Sequence, residues 1–301
     1  MENHNVQTGR RFLLVTLLNI IITLFELAGG LLSGSLSLLS DAFHNFSDAF
    51  SIVLSYFANR IGKRTPTLKN TYGFRRAEIL TALLNSILLI VISAFLLIEA
   101  FKRFAHPEEV QGGVMFIVAV ISFAANLLST ILLNHDSKHN LNIRATYLHL
   151  LSDALASVGV IISAALIIIF HIKWVDPLMS FLVSIYIIYE SLPIVHKTFT
   201  ILMEASPKLS FEEIKKDLLT IPEITGVHHL HAWLIDENEI ILSVHVNMKD
   251  LPLSQTERIY LKIENILKQR YNVSHVTIQA ECNRGRNTEL ILNEEKSFHN
   301  N

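Results

Sequence analysis

The hydrophobic pattern divides the 301-residue chain into two parts. Six mainly apolar runs, at about 12–32, 36–58, 77–101, 114–134, 145–170 and 174–197, each reach the roughly 20 residues that a helix needs to cross about 30 Å of hydrocarbon. After Met203 charged residues become frequent and the apolar runs shorten. Phe211, Ile214, Leu218 and Leu219 then recur at helical spacing behind Ser210, a suitable N-cap, and Pro222 closes the segment. Two alternating β-rich runs, 226–235 and 240–248, flank the polar turn Asp236-Glu237-Asn238-Glu239 and predict a hairpin. Ile259, Ile263, Ile266 and Leu267 mark one face of a second helix, and 275–281 reads as a last strand, giving the order α-β-β-α-β. The predicted fold is an α-helical membrane protein with six transmembrane helices plus a C-terminal cytoplasmic α+β domain. Its expected parts are an N-terminus 1–11, a transmembrane domain 12–203, a cytoplasmic domain 204–283 and a mobile polar tail 284–301.

Orientation follows from the basic residues of the short loops. Arg10, Arg11, Arg60, Lys63, Arg64, Lys69, Arg75, Arg76, Lys138 and Arg144 fall on the side of the termini, against Lys102, Arg103 and Lys173 opposite, so both termini are expected in the cytoplasm. The first run follows Arg10-Arg11 as a signal peptide would. It contains Glu26 and lacks a small-x-small cleavage site, so it is expected to remain as a span.

Composition agrees with a membrane protein: half of the residues are hydrophobic, only 17% are charged, and mean hydropathy is +0.40. A net charge of −2 offers no field for nucleic acid. One cysteine, Cys282, allows neither a four-thiolate zinc site nor a CxxC pair within one chain, so histidine and carboxylate must supply any metal chemistry.

Ionisable residues inside a span cost about 2.5–3.5 kcal/mol each on insertion scales and mark sites or pathways. The second run contains Asp41-Ala-Phe-His44-Asn-Phe-Ser-Asp48 and the fifth His149-Leu-Leu-Ser-Asp153, so His-x-x-x-Asp occurs twice. Residues four apart share a helical face, and two such helices meeting would offer two imidazoles and two carboxylates to one ion. Two nitrogens at about 2.0–2.1 Å and two oxygens at about 2.0–2.2 Å suit tetrahedral zinc. Calcium and magnesium prefer more oxygens, whereas cadmium and cobalt are not sorted out by ligand type. Each pair alone is compatible with a hydrogen-bonded helix feature; their repetition near the middle of two spans favours a shared site. Ser152, Ala156, Gly159 and Ser163 give the fifth helix a small-residue face that permits close approach.

Several motifs together resemble the cation diffusion facilitator family, in its zinc-type branch, over nearly the whole chain. They are Glu26-Leu-Ala-Gly29-Gly30 with Ser35-Leu-Ser-Leu-Leu-Ser-Asp41-Ala-Phe-His44, Tyr72-Gly-Phe-Arg-Arg-Ala-Glu78, Leu202-Met-Glu204-Ala-Ser-Pro207, and Val227-His228-His-Leu-His231-Ala-Trp233. The resemblance implies a homodimeric secondary transporter that exports zinc, or cadmium or cobalt, from the cytoplasm in exchange for protons by alternating access. It also implies a metallochaperone-like cytoplasmic domain contributing to the dimer. A bacterial inner membrane suits the short loops, and no organic cofactor is expected. Proton coupling has independent support in the ligands, since metal and protons compete for the same atoms.

In that family His228, His245 and Glu281 match positions that bind regulatory metal, whereas Gln279 stands where some relatives have histidine. His228, His229 and His231 are not expected to face one way on a strand, because side chains alternate. The loop 65–74 has neither histidine nor aspartate, so no metal is expected there, and His135 with His139 is expected in a short solvated loop. Arg76 matches a basic position that pairs with an acidic one, here Glu204, and would link the bundle to the cytoplasmic domain. Asp41 lies one turn from His44 and could line the approach or support the ligands. Glu26, Asp176 and Glu190 are compatible with packing, proton-path or access roles.

Two rivals differ in class. A hydrolytic zinc site keeps a position for water and a general base; the chain has no HExxH, and four ligands would saturate the ion. A metal sensor would bind without moving metal, which a flux assay distinguishes.

Overall fold

The computed structural model describes residues 2–137, 141–285 and 290, without the side chains of 2–14, 135–137, 141–143 and 145. The expected mobile tail thus falls almost wholly outside the described residues. Six long helices form the first part: α1 Glu2–Ser33, α2 Leu36–Gly62, α3 Arg76–Ala105, α4 Gly112–Ser137, α5 Leu141–Phe170 and α6 Val175–Leu202. Five of them, α1, α3, α4, α5 and α6, are long and apolar enough to cross a membrane. Helix α2, with 27 residues, has the length to span, but Asp41, His44 and Asp48 dilute its apolar stretch. The expected loop between spans four and five is shorter than the sequence suggests. With no glycine or proline to stop it, α4 continues to Ser137, so His135 belongs to the helix, whereas His139 lies outside the described residues.

Helix α4 packs on α5 and α1. Of the small-residue face of α5, Gly159 serves close packing, since a Cβ there would come 2.7 Å from Met179 Cε of α6, whereas Ser152 and Ala156 are exposed. Helix α2 is held differently, by polar contacts to three neighbours. Asn45 Nδ2 donates to Glu26 Oε2 of α1 at 2.9 Å, Ser47 Oγ to Asn85 Oδ1 of α3 at 3.1 Å, and Ser40 Oγ pairs with Ser180 Oγ of α6 at 2.9 Å. At its N-terminus, Leu36 N (2.8 Å) and Ser37 N (3.2 Å), with the hydroxyls of Ser35 (2.6 Å) and Ser37 (2.7 Å), all donate to the fully buried carboxylate of Asp176 on α6. The orphan donors of a helix start thus meet an acceptor from a distant part of the chain.

The chain forms two compact units, one of 1–58 with 81–196, the other of 59–80 with 197 onward. In the second unit α7 (Phe211–Leu218) precedes β1 (Ile224–Leu234), β2 (Ile240–Met248), α8 (Leu253–Tyr271) and β3 (Val273–Glu281), the order expected from the pattern. Ser210 caps α7 through Glu213 N, and Asp236 Oδ1 accepts from Asn238 N (2.8 Å) and Glu239 N (2.9 Å) to close the hairpin turn. The sheet order is β1-β2-β3, antiparallel between β1 and β2 and parallel between β2 and β3. Ile214, Leu218, Leu242, Val244, Ile263 and Leu267 bring α7 and α8 onto the sheet in one core.

Candidate metal centre

Helices α2 and α5 bring both His-x-x-x-Asp motifs together. His149 Nε2 lies 3.0 Å from Asp48 Oδ2, and the same oxygen lies 3.5 Å from His44 Nε2. The rings of His44 and His149 meet edge to face at 5.8 Å. Donor atoms of His44, Asp48 and His149 all fall within 4.8 Å of one another. Asp153 joins through its partner rather than as one of that mutually close set, with Oδ2 3.6 Å from His149 Nε2. It is the most buried of the four, at 4% exposure, and that oxygen has no hydrogen-bond partner among the described residues. Ligands about 2.0–2.2 Å from a tetrahedral ion sit about 3.3–3.6 Å from each other. The three closest approaches here, 3.0, 3.5 and 3.6 Å, are near that spacing.

Asp41, one turn before His44, is buried. Glu26 is fully buried and accepts from Asn45 and from Ser122 of α4. Asp176 caps α2, a structural role, and Glu190 is exposed on α6. The sequence pattern singled out these acids but not their partners. The signal available for Asp176 was Ser35-Leu-Ser37 at the foot of α2, a helix-start signature without a local acid.

A second cluster lies in the three-stranded sheet. His228 Nε2 is 3.1 Å from Glu281 Oε2, His245 Nδ1 is 3.2 Å from Glu281 Oε1, and the donor atoms of all three lie within 4.8 Å. Strand pairing explains the convergence: His228 faces His245 across β1 and β2, and β3 runs alongside β2. Gln279 donates to Glu281 Oε1 at 2.7 Å, so the position where a further ligand could stand holds the carboxylate instead. Burial lowers the pKa of His245, aided by His228 and Arg284 and opposed by Glu281, which favours the neutral, metal-binding imidazole. Gly285, at φ +65°, passes so close over His228 Nε2 that a Cβ there would collide with the ring.

The expected alternation of His228 and His229 fails. A register shift lies between His228 and His231, and His229 adopts φ +48°, which turns its ring onto that of His245 at 4.4 Å. Burial, and then the neighbouring His245, His231 and His228, lower the pKa of His229.

Arg76 Nη2 donates to Glu204 Oε1 at 3.0 Å, the pairing that the motifs implied. Arg75, beside it, pairs with Glu239 and lies 3.7 Å from Asp236 at the hairpin turn, contacts that the sequence pattern did not indicate.

Residues 12–203 match the cation efflux transmembrane domain and 206–282 the cytoplasmic domain of cation efflux proteins. A cadmium, cobalt and zinc/H(+)-K(+) antiporter of Bacillus velezensis is 38% identical, over 93% of this chain and 91% of its own. The zinc transporter ZitB of Escherichia coli is 37% identical over 92% and 88%. The metal cation efflux system protein CzcD of Cupriavidus metallidurans is 32% identical over 85% and 81%.

Proposed function

The chain belongs to the cation efflux family, a family of multi-pass membrane transporters, and from that premise we propose that it exports zinc-class divalent cations from the cytoplasm in exchange for protons. Cargo is held by His44 and Asp48 of α2 with His149 and Asp153 of α5. The observation that carries this reading is the convergence of His44, Asp48 and His149 donor atoms within 4.8 Å, with the unpartnered Asp153 oxygen 3.6 Å from His149. Zinc is the best fit to two nitrogens and two oxygens, and cadmium and cobalt fit the same set. An ion can enter only as the imidazoles lose protons, and returning protons displace it, so a single site serves both directions of the exchange. Alternating access requires the ligand helices to shift relative to one another between the two openings, which a site split between α2 and α5 permits.

His228, His245 and Glu281 form a regulatory metal site in the cytoplasmic domain, which also contributes to a homodimer. The bacterial relatives and the basic loops support a bacterial inner membrane with cytoplasmic termini. The Arg76–Glu204 pair ties the start of α3 to the segment following α6.

The experiment is zinc-driven proton movement in proteoliposomes, with metal flux followed in parallel. The intact protein is expected to move both and Asp153→Ala neither, while still inserting and dimerising. Equal signals from the two would remove the site from the mechanism, and binding without flux in the intact protein would make the protein a sensor.

A further inference from the structure

Strand β1 carries two histidines, His229 and His231, that neither metal cluster uses. We propose that they form a capture pair through which a zinc-class cation enters and leaves the His228–His245–Glu281 triad. This rests on the reading that the triad holds metal. The triad is enclosed: His228 and Glu281 are 3% and 9% exposed, and Gly285 covers His228 Nε2. Half-buried His245 is the ligand that remains open, and the ring laid on it is His229. His231, exposed, follows on from His229 and borders an open cleft of about 420 Å³ shared with Trp233 and Glu204.

The four imidazoles therefore stand in file from solvent to the triad. Centroid steps are 4.7 Å from His231 to His229, 4.4 Å to His245 and 5.4 Å to His228. An ion about 2.0 Å from one ring nitrogen can be met by the next ring after a rotamer adjustment, so one nitrogen–metal bond forms before the previous one breaks. Water fills the other positions on the way.

The backbone departs from strand geometry to build this file. In an unbroken strand His229 would point away from the face of His228; the bulge and the left-handed φ bring it back. Left-handed conformations of non-glycine residues persist where the surroundings hold them, and they concentrate at functional positions. His229 Nδ1 is also buried without a hydrogen-bond partner among the described residues. Two imidazoles make a weak site, and among the described residues the pair joins no mutually close set of three ligands. Weak binding is what a transfer point needs, because a strong one would retain the ion.

The test uses the full chain in detergent with Asp48→Ala silencing the transport site, and cobalt(II) as the probe. Loading is followed by its visible absorption, and release by mixing with excess chelator. His229→Gln with His231→Gln is expected to slow both loading and release by about tenfold, about 1.4 kcal/mol of barrier, and to leave Kd within about threefold, under 1 kcal/mol. His231→Gln alone, at an exposed position, is expected to slow both by less. Unchanged rates overturn the proposal. So does a Kd that weakens with release accelerated, because the pair would then be ligands. If His228→Ala removes no cobalt signal from the parent, the triad reading fails, and the proposal with it.

Discussion

Asp176 is the residue whose replacement is most informative about how the proposed transport site is held. Its carboxylate accepts from two backbone N–H groups and two hydroxyls at the start of α2, with no exposure to solvent. In Asp176→Ala the hydroxyls can rotate toward other acceptors, but Leu36 N and Ser37 N cannot. Two buried donors left unpaired at about 1–3 kcal/mol each give a loss of about 2–6 kcal/mol. Asp176→Asn keeps one acceptor oxygen and is expected to lose about half as much. Ser37→Ala removes one hydroxyl while its backbone bond survives, at about 1 kcal/mol. For a bundle of this size, about 2–4 °C of melting temperature per kcal/mol makes the loss in Asp176→Ala at least about 4 °C. The assay is thermal unfolding of the purified full chain, followed by zinc titration of what remains folded. His44 and Asp48 lie two to three turns along the helix that Asp176 anchors, so zinc affinity should fall in the same order as stability. Melting of Asp176→Ala within about 2 °C of the parent, under 1 kcal/mol by that scaling, would refute the reasoning. So would Asp176→Asn proving the worse of the two.

Three further expectations follow from other parts of the structure. The Arg76–Glu204 pair is substantially exposed, so reversing either charge should cost no more than about 1 kcal/mol of stability; any larger loss of zinc flux therefore reports coupling, and the double reversal should restore it. Failure of that rescue would discard the pairing. Gly285→Ala puts a Cβ against a triad nitrogen at a left-handed position, which should weaken metal binding there by about 10–100-fold, leaving flux through the transport site unaltered; an unchanged titration would show that the segment yields freely. His229 and His245 have pKa values lowered from 6.5, so the unfolded chain binds more protons than the folded one below that pH. Their contribution favours the fold at neutral pH and is lost as pH falls from 6.5 towards the lowered values. Amide exchange of β1 and β2, corrected for intrinsic rates, should show less protection at pH 5.5 than at 7.5, and His229→Gln should reduce that difference.

The spans were legible because each apolar run is long enough to exclude other structures, and even α2 kept enough length to be recognised despite its acids. The meeting of the His44–Asp48 and His149–Asp153 pairs was legible for a related reason: residues four apart share a helical face, and the spacing occurs twice. The cytoplasmic elements declared themselves through Ser210 and the Asp236 turn, both local signals. What remained hidden is long-range or conformational. The Asp176 cap joins residues about 140 positions apart, and neither partner requires the other by its local pattern. The left-handed His229 has only a weak compositional mark, because histidine is enriched in that region but the local pattern does not say which histidine of β1 enters it. The closeness of Gly285 to His228 likewise depends on where the chain returns after β3.

The polar ties of α2 also bear on how the protein reaches the bilayer. A translocating segment is released into lipid according to its own hydrophobicity, and α2, interrupted by Asp41, His44 and Asp48, is the poorest candidate of the six. Its acceptors and donors on α3 and α6 are synthesised after it, the last of them well over a hundred residues later. Helix α2 is thus a dependent passenger during biogenesis, its N-terminus secured only when α6 arrives. Nascent chains arrested before Asp176 should leave it accessible to aqueous labels, and chains extended past α6 should not.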